Sequence, residues 1–163
     1  MKIKPYLDKL SNSVQFKDFI SKNPEAYFSA GFFVLDFSEK KNIHQIDYYL
    51  PKEKKFMTFT LDGEIEMKKQ DMRDKKVPKQ IEGDITLDLD VLKGIVEDEM
   101  KNQGITHKLH KIIAVIHSPE GKRIWNLNCI TSDMGIIKVH VDDSDKSILK
   151  FEPVNLFDVI KKI

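Results

Sequence analysis

The segment from Ile124 to Glu152 alternates apolar and polar side chains in steps of two, with a turn at Asp133-Met134-Gly135. A period of two is that of a β-strand, whose successive side chains point to opposite faces of a sheet. The alternation therefore predicts a three-strand antiparallel meander with one buried and one solvated face. The buried face should hold Trp125, Leu127, Cys129, Ile137, Val139 and Val141.

Helices and further strands are predicted around this meander. Ser13 is suited to cap a helix that starts at Val14, because its hydroxyl can accept hydrogen bonds from the first-turn amides. A second helix should follow Asp88 and Asp90 and stop at Gly104, since acids favour a helix start and glycine a helix end. The other predicted elements are strands at Phe32–Phe37, Ile43–Leu50, Phe56–Leu61, Ile65–Met67 and His110–His117, and a short C-terminal helix at Asn155–Ile163.

The two halves of the chain repeat this order of elements. The strand Phe32–Phe37 corresponds to Ile112–His117, and the apolar alternation of Phe56–Leu61 returns at Ile137–Val141 with the same spacing. Agreement in order, spacing and facing predicts an internal duplication. The expected fold class is α+β, with two tandem helix-plus-four-strand antiparallel meander units and the helices on one face. Whether the units share one continuous sheet stays open.

The expected division places the first unit at residues 1–69 and the second unit, with its terminal helix, at residues 87–163. Residues 70–86 between them are rich in charged side chains and contain Pro78 and Gly83. That composition is typical of a solvated linker.

Charge and composition narrow the function classes. The chain has 27 Lys and Arg against 26 Asp and Glu, interspersed, which gives no electrostatic reason to expect a nucleic-acid or membrane partner. The N-terminal residues lack the apolar core of a signal peptide, and the single Cys129 falls on the apolar side of a strand. A cytoplasmic protein with a buried, reduced thiol is the expectation.

Histidines and the cysteine are the first candidates for metal binding or catalysis. His107, His110 and His117 are close in sequence, but zinc needs three or four converging ligands, and Cys129 should lie on the other face. Cys129 should also point away from His140, so a nucleophile–base pair is not expected. The sequence predicts no metal, no cofactor and no catalytic residue.

The acidic turn after the third meander strand has two interpretations. Asp142, Asp143, Asp145 and Ser147 provide oxygen atoms of the kind that calcium loops use. An EF-hand loop starting at Asp143 would need glycine and a carboxylate at positions that this sequence does not fill. A hairpin turn is favoured, because Asp and Ser readily bond their own backbone there.

The segment Val139-His140-Val141-Asp142, with the preceding stretch Lys122–Trp125, resembles the third and second strands of the PepSY domain. The resemblance covers roughly residues 88–152 and implies a helix followed by a meander. It also implies a regulatory role in which the partner is a peptidase. The tandem layout is similar to that of the beta-lactamase inhibitor protein, whose concave sheet binds an enzyme.

A set of polar and aromatic side chains should line the sheet face opposite to the helices. Such a face offers area without a pocket, which suits a protein or peptide partner. We therefore expect a non-enzymatic protein-binding or regulatory module. Two alternatives are a small-molecule-binding protein or enzyme with a site at the seam between the units, and a homodimer that covers the face with a second copy. The residues of this face are Asp47, Tyr49, Thr58, Thr60, Asn126, Asn128, Lys138, His140 and Lys150.

Overall fold

A computed structural model describes residues 2–72 and 74–154 of the chain. The predicted helix at Asn155–Ile163 lies outside these residues. In chain order the elements are α1 (Lys4–Ser11), α2 (Val14–Lys22), β1 (Tyr27–Asp36), β2 (Ile43–Leu50), β3 (Lys55–Thr60), β4 (Glu66–Asp71), α3 (Leu89–Asn102), β5 (Leu109–His117), β6 (Ile124–Thr131), β7 (Ile136–Asp142) and β8 (Ile148–Val154).

The described strands form one antiparallel sheet in the order β4-β3-β2-β1-β5-β6-β7-β8. The pairing of β1 with β5 runs from Gly31 opposite Ile116 to Asp36 opposite Lys111, which joins the two halves edge to edge. The expectation of two tandem helix-plus-four-strand units is therefore wrong. Two helices precede β1 and one precedes β5, and the fold is a mixed α and β structure built on a single eight-stranded sheet.

The helices cover one face of the sheet and enclose a shared core. Trp125 and Cys129 are fully buried, which confirms the facing predicted for β6. The Trp125 ring lies 5.8 Å from the ring of Phe33, so β6 packs against a side chain of β1 across the junction of the halves. From the helices, Phe19 and Val96 complete this core. The opposite side of the sheet is called the open face below.

Local signals set the helix ends as the sequence predicts. The Ser13 hydroxyl accepts a hydrogen bond from the backbone N–H of Phe16 at 3.2 Å and starts α2. Gly104, just beyond α3, adopts a positive φ of 73°, a conformation that glycine reaches without steric cost. Among the described helices, none is long and apolar enough to cross a bilayer.

The carboxylate of Asp143 is buried and anchors the segment that leads into α3. It accepts hydrogen bonds from the backbone N–H groups of Thr86 at 2.8 Å and Leu87 at 3.0 Å. It also accepts from Arg123 Nε and Trp125 Nε1, both at 2.9 Å. Burial alone would raise the pKa of Asp143, but these four donors outweigh it and hold the pKa below its ordinary value.

We expect Asp143→Asn to lower the free energy of unfolding by roughly 3 kcal/mol, because removing one charge of a buried, hydrogen-bonded pair leaves its partners unsatisfied. Urea unfolding followed by tryptophan fluorescence measures the change. Asp145→Asn is the matched control, since Asp145 is exposed and bonds only its own turn through Ser147. Equal stability of the two variants would contradict the anchoring role of Asp143.

Lowering the pH should remove the stability that the Asp143 carboxylate contributes. A carboxylate whose folded pKa is depressed stabilises the fold above its unfolded pKa, and that stability is lost as the pH falls through the folded pKa. Between about pH 5 and about pH 2, the free energy of unfolding should therefore fall more for the wild type than for Asp143→Asn. Urea unfolding at several pH values gives the two slopes, and parallel slopes would refute the assignment.

Candidate functional site

A strand-free segment crosses the open face after β4, and it is called the strap here (residues 74–81). The hydroxyl of Tyr27 donates to the backbone carbonyl of Pro78 at 2.6 Å. The backbone N–H of Ile81 donates to the carbonyl of Phe28 at 2.9 Å, and the Ile81 side chain is buried. The segment expected to be a solvated linker therefore lies against the first half of the sheet.

A cleft of about 650 Å³ lies between the strap and the β5–β6 turn at Ser118-Pro119. Its floor is the open face, and it crosses from the first half of the sheet to the second. The lining combines apolar and polar side chains from the five strands β1, β2, β3, β4 and β5. They include Ala30, Phe32, Gln45, Asp47, Phe56, Thr58, Val115 and His117.

A chain of hydrogen bonds fixes the polar side chains at the first-half end of this floor. Gln70 Nε2 donates to the Thr58 hydroxyl at 3.1 Å, and that hydroxyl donates to Asp47 Oδ1 at 2.7 Å. Ser29 Oγ donates to the backbone carbonyl of Asp47 at 3.2 Å. Because each group restrains the next, these side chains form a preorganised polar surface.

Aromatic rings pack beside the polar chain, and one of them, Phe56, lines the cleft. The Tyr49 ring lies 5.5 Å from Tyr27 and 5.4 Å from Phe56, both in tilted or edge-on contact. The Tyr49 hydroxyl reaches Met72 Sδ at 3.7 Å. Burial, with the neighbouring Tyr49, raises the pKa of Tyr27, so its hydroxyl stays protonated and donates to the strap.

The second-half end of the cleft is basic. Burial, together with the nearby His140 and Lys76, lowers the pKa of His117, while a hydrogen bond that the ring donates to the Asn126 side chain opposes the shift. Burial, together with Lys150 and Lys138, lowers the pKa of His140. Both imidazoles are therefore mostly neutral at pH 7, and each gains a proton only below its usual pH range.

All nine residues predicted for the binding face lie on the open face, but their surroundings differ. Asp47 and Thr58 line the cleft, while Tyr49 and Thr58 are buried, at 2% and 5% exposure. Thr60 does not line the cleft, although its hydroxyl lies 3.4 Å from the side-chain nitrogen of Gln45, which does. The remaining residues, Asn126, Asn128, Lys138, His140 and Lys150, lie on β6, β7 and β8, where Asn128, Lys138 and Lys150 are exposed.

The expected surface is thus divided by the strap, and sequence reasoning missed several residues of the cleft. Lys76, Gln70 and His117 were not among the predicted site residues, yet all three line it. Val77 and Pro78 gave the available signal, because an apolar pair inside a charged segment indicates contact with the rest of the protein. Their positions do not reveal which face they contact.

Other candidate chemistry stays separate from the cleft. Burial raises the pKa of the Cys129 thiol to about 12, so it is not a ready nucleophile at neutral pH. In the turn, Asp142 Oδ1 accepts from the N–H and hydroxyl of Ser144, at 2.8 and 2.6 Å. Within the described residues, no three His, Cys, Asp or Glu side chains form a group that could hold a metal ion.

Comparisons with known proteins bear on the fold alone. No protein-family model and no curated protein matches the chain. The crystal structure of a "putative lipoprotein" from Clostridium difficile 630 is similar, with a TM-score of 0.56 and 10% sequence identity. The match covers 86% of this chain and 90% of that one. At this identity the likeness supports a shared architecture.

Burial of the Tyr49 ring against Tyr27, Phe56 and Met72 changes what a substitution there should do. We expect Tyr49→Ala to lower the free energy of unfolding by about 3–4 kcal/mol, since it removes a buried aromatic side chain and leaves a cavity. Asn128→Ala, on the same face but exposed, should change it by less than about 0.5 kcal/mol. Urea unfolding compares the two variants, and a Tyr49→Ala variant as stable as the wild type would contradict the burial of this ring.

Proposed function

We propose that this protein is a non-enzymatic binding module that holds an extended segment of a protein partner in the cleft between the strap and the β5–β6 turn. The observation that carries the proposal is the cleft itself, which has a rigid sheet floor and a wall made of extended chain. Apolar side chains for affinity and a few fixed polar groups for orientation are what a binding site requires.

The strap supports a peptide as the occupant. Its own backbone already contacts the open face through the carbonyl of Pro78, and it bonds the backbone of β1 through the N–H of Ile81. A second extended segment lying beside it would meet the same mixture of aromatic, aliphatic and amide groups. Val77 extends the wall with an apolar side chain that is 56% exposed, which a partner would cover.

A small molecule is the second candidate, because the size and place of the cleft favour it. The volume of about 650 Å³ falls within the roughly 300–1,000 Å³ typical of small-ligand pockets. The floor crosses the pairing of β1 with β5, where Phe32 lies opposite Val115. This is the seam at which the alternative site was expected.

The class of partner and the compartment are further parts of the proposal. The resemblance of residues 88–152 to the PepSY domain makes a peptidase the partner class to test first. A second copy of the chain remains an alternative occupant of the open face. We also propose a cytoplasmic location, which agrees with the single, buried thiol of Cys129.

Selection from a phage-displayed library of random peptides tests the proposal. Peptides that bind the wild type should lose about tenfold in affinity, or 1.4 kcal/mol, for Val77→Glu, because a charge replaces an apolar wall residue of the cleft. Val14→Glu is the matched control, since Val14 is 80% exposed on α2, away from the cleft. Fluorescence anisotropy of the labelled peptides measures both.

The other possible outcomes either contradict the peptide proposal or favour the second candidate. A library that yields no binder, or binders that lose affinity equally for both variants, would contradict the peptide proposal. A fragment screen by NMR then tests the second candidate. Fragments that shift resonances of Val115 and His117, with no peptide bound by the wild type, would favour a small-molecule site.

A further inference from the structure

The basic end of the cleft gathers side chains from separate parts of the chain. Lys76 comes from the strap, His117 from the end of β5 and His140 from the middle of β7. Asn126 connects them, because it lies opposite His140 in the sheet and its side chain hydrogen-bonds His117. Distant sequence positions thus converge on one border of the cleft.

Further cations extend the cluster along the open face. Lys150 lies opposite His140 on β8, and Lys138 precedes His140 by two residues, on the same face. The basic groups that act on the two histidines are Lys76 and the mostly neutral His140 for His117, and Lys150 and Lys138 for His140. The three lysines are charged at neutral pH, and they contribute a positive potential at the pair.

Two carboxylates contact members of the cluster and reduce its positive charge. Glu152 pairs with Lys150 at 3.1 Å, and both side chains are about half exposed. On the strap, Asp74 accepts a hydrogen bond from the backbone N–H of Lys76 at 2.9 Å. The three lysines of the cluster, Lys76, Lys138 and Lys150, outnumber these two carboxylates, so its balance stays positive.

We propose that this basic end binds an anionic oxygen group, a carboxylate or a phosphate, carried by the segment that occupies the cleft. The inference rests on the proposed function and adds the chemistry of the ligand to it. Lys76 supplies a fixed charge from the wall, and the two imidazole rings supply N–H donors from the floor. Hydrogen bonds with an ionised partner are shorter and stronger than neutral ones, which suits this set of donors.

Binding should take up protons. In the free protein burial, and after it the neighbouring cations, keep both histidines below their usual pKa, and an arriving anion opposes the electrostatic part of that shift. The pKa of each histidine should therefore rise on binding. By linkage, the anion must bind more tightly as the pH falls from about 8 to about 6. The groups that set this response are Lys76, His117, His140, Lys138, Lys150, Glu152 and Asp74.

NMR of the histidine side chains tests the site with sulfate, whose charge is constant over this pH range, and with acetate as the carboxylate probe. Sodium chloride at matched ionic strength is the reference. With either anion, we expect the pKa of His117 and His140 to rise by about 0.5–1 unit, and the sulfate affinity at about pH 6 to exceed that at about pH 8 by about fivefold. A response to sulfate alone indicates a phosphate ligand, and a response to acetate indicates a carboxylate.

Variants of single residues distinguish anion binding at the cluster from a general effect of charge. His117→Gln should abolish most of the pH dependence of sulfate binding, and Lys76→Gln should weaken binding by about threefold to tenfold at both pH values. His110→Gln, on the same strand and exposed, is the control and should change neither. Equal shifts in sulfate, acetate and chloride, or an equal effect of His110→Gln, would overturn the proposal.

The outcome is distinguishable from failure of the proposed function. If the library yields uncharged binders and neither anion changes the pKa of the histidines, the peptide-binding proposal is supported and the anion site is contradicted. If the histidines respond while the library yields nothing, the anion site stands without a peptide.

Discussion

The arrangement of sheet, strap and α3 depends on one buried carboxylate. Asp143 receives donors from the start of β6 and from the two residues that lead into α3. Arg123 adds a bond to the carbonyl of Glu82 at 2.7 Å, just after the strap. A buried charge is tolerated only when its hydrogen bonds are complete, so the chain must pass this point in one way. That restraint fixes the chain just beyond the end of the strap.

Much of the fold could be predicted from local pattern. Alternation in β6 and β7 identified the buried face, including Trp125 and Cys129, and the Ser13 cap identified the start of α2. These features depend on neighbours a few residues away, which sequence periodicity reports directly. The pairing of β1 with β5 was left open because alternation gives the facing of a strand, and it does not give its partner across a long separation.

The candidate site was harder to predict, for a related reason. The cleft exists because a charged segment folds back over the sheet, held by single hydrogen bonds with Tyr27 and Phe28 and by one buried side chain, Ile81, rather than by an apolar stripe. Tyr49 therefore reads as an exposed strand residue in the sequence and is buried in the structure. Lys76 and His117 meet only through this folding back, so their sequence positions carry no signal of the contact.

The junction of β1 with β5 has a consequence for how the molecule folds. The pairs β1–β2, β2–β3, β5–β6 and β6–β7 join neighbours in the chain, so their hairpins close short loops. Only after residues 31–36 reach residues 111–116 can the two hairpin sets merge, and this step closes the longest loop of the sheet. The chain entropy lost on closure grows with loop length, and non-local pairing slows folding. Joining at the centre should thus set the folding rate, with the strap settling as part of the same step.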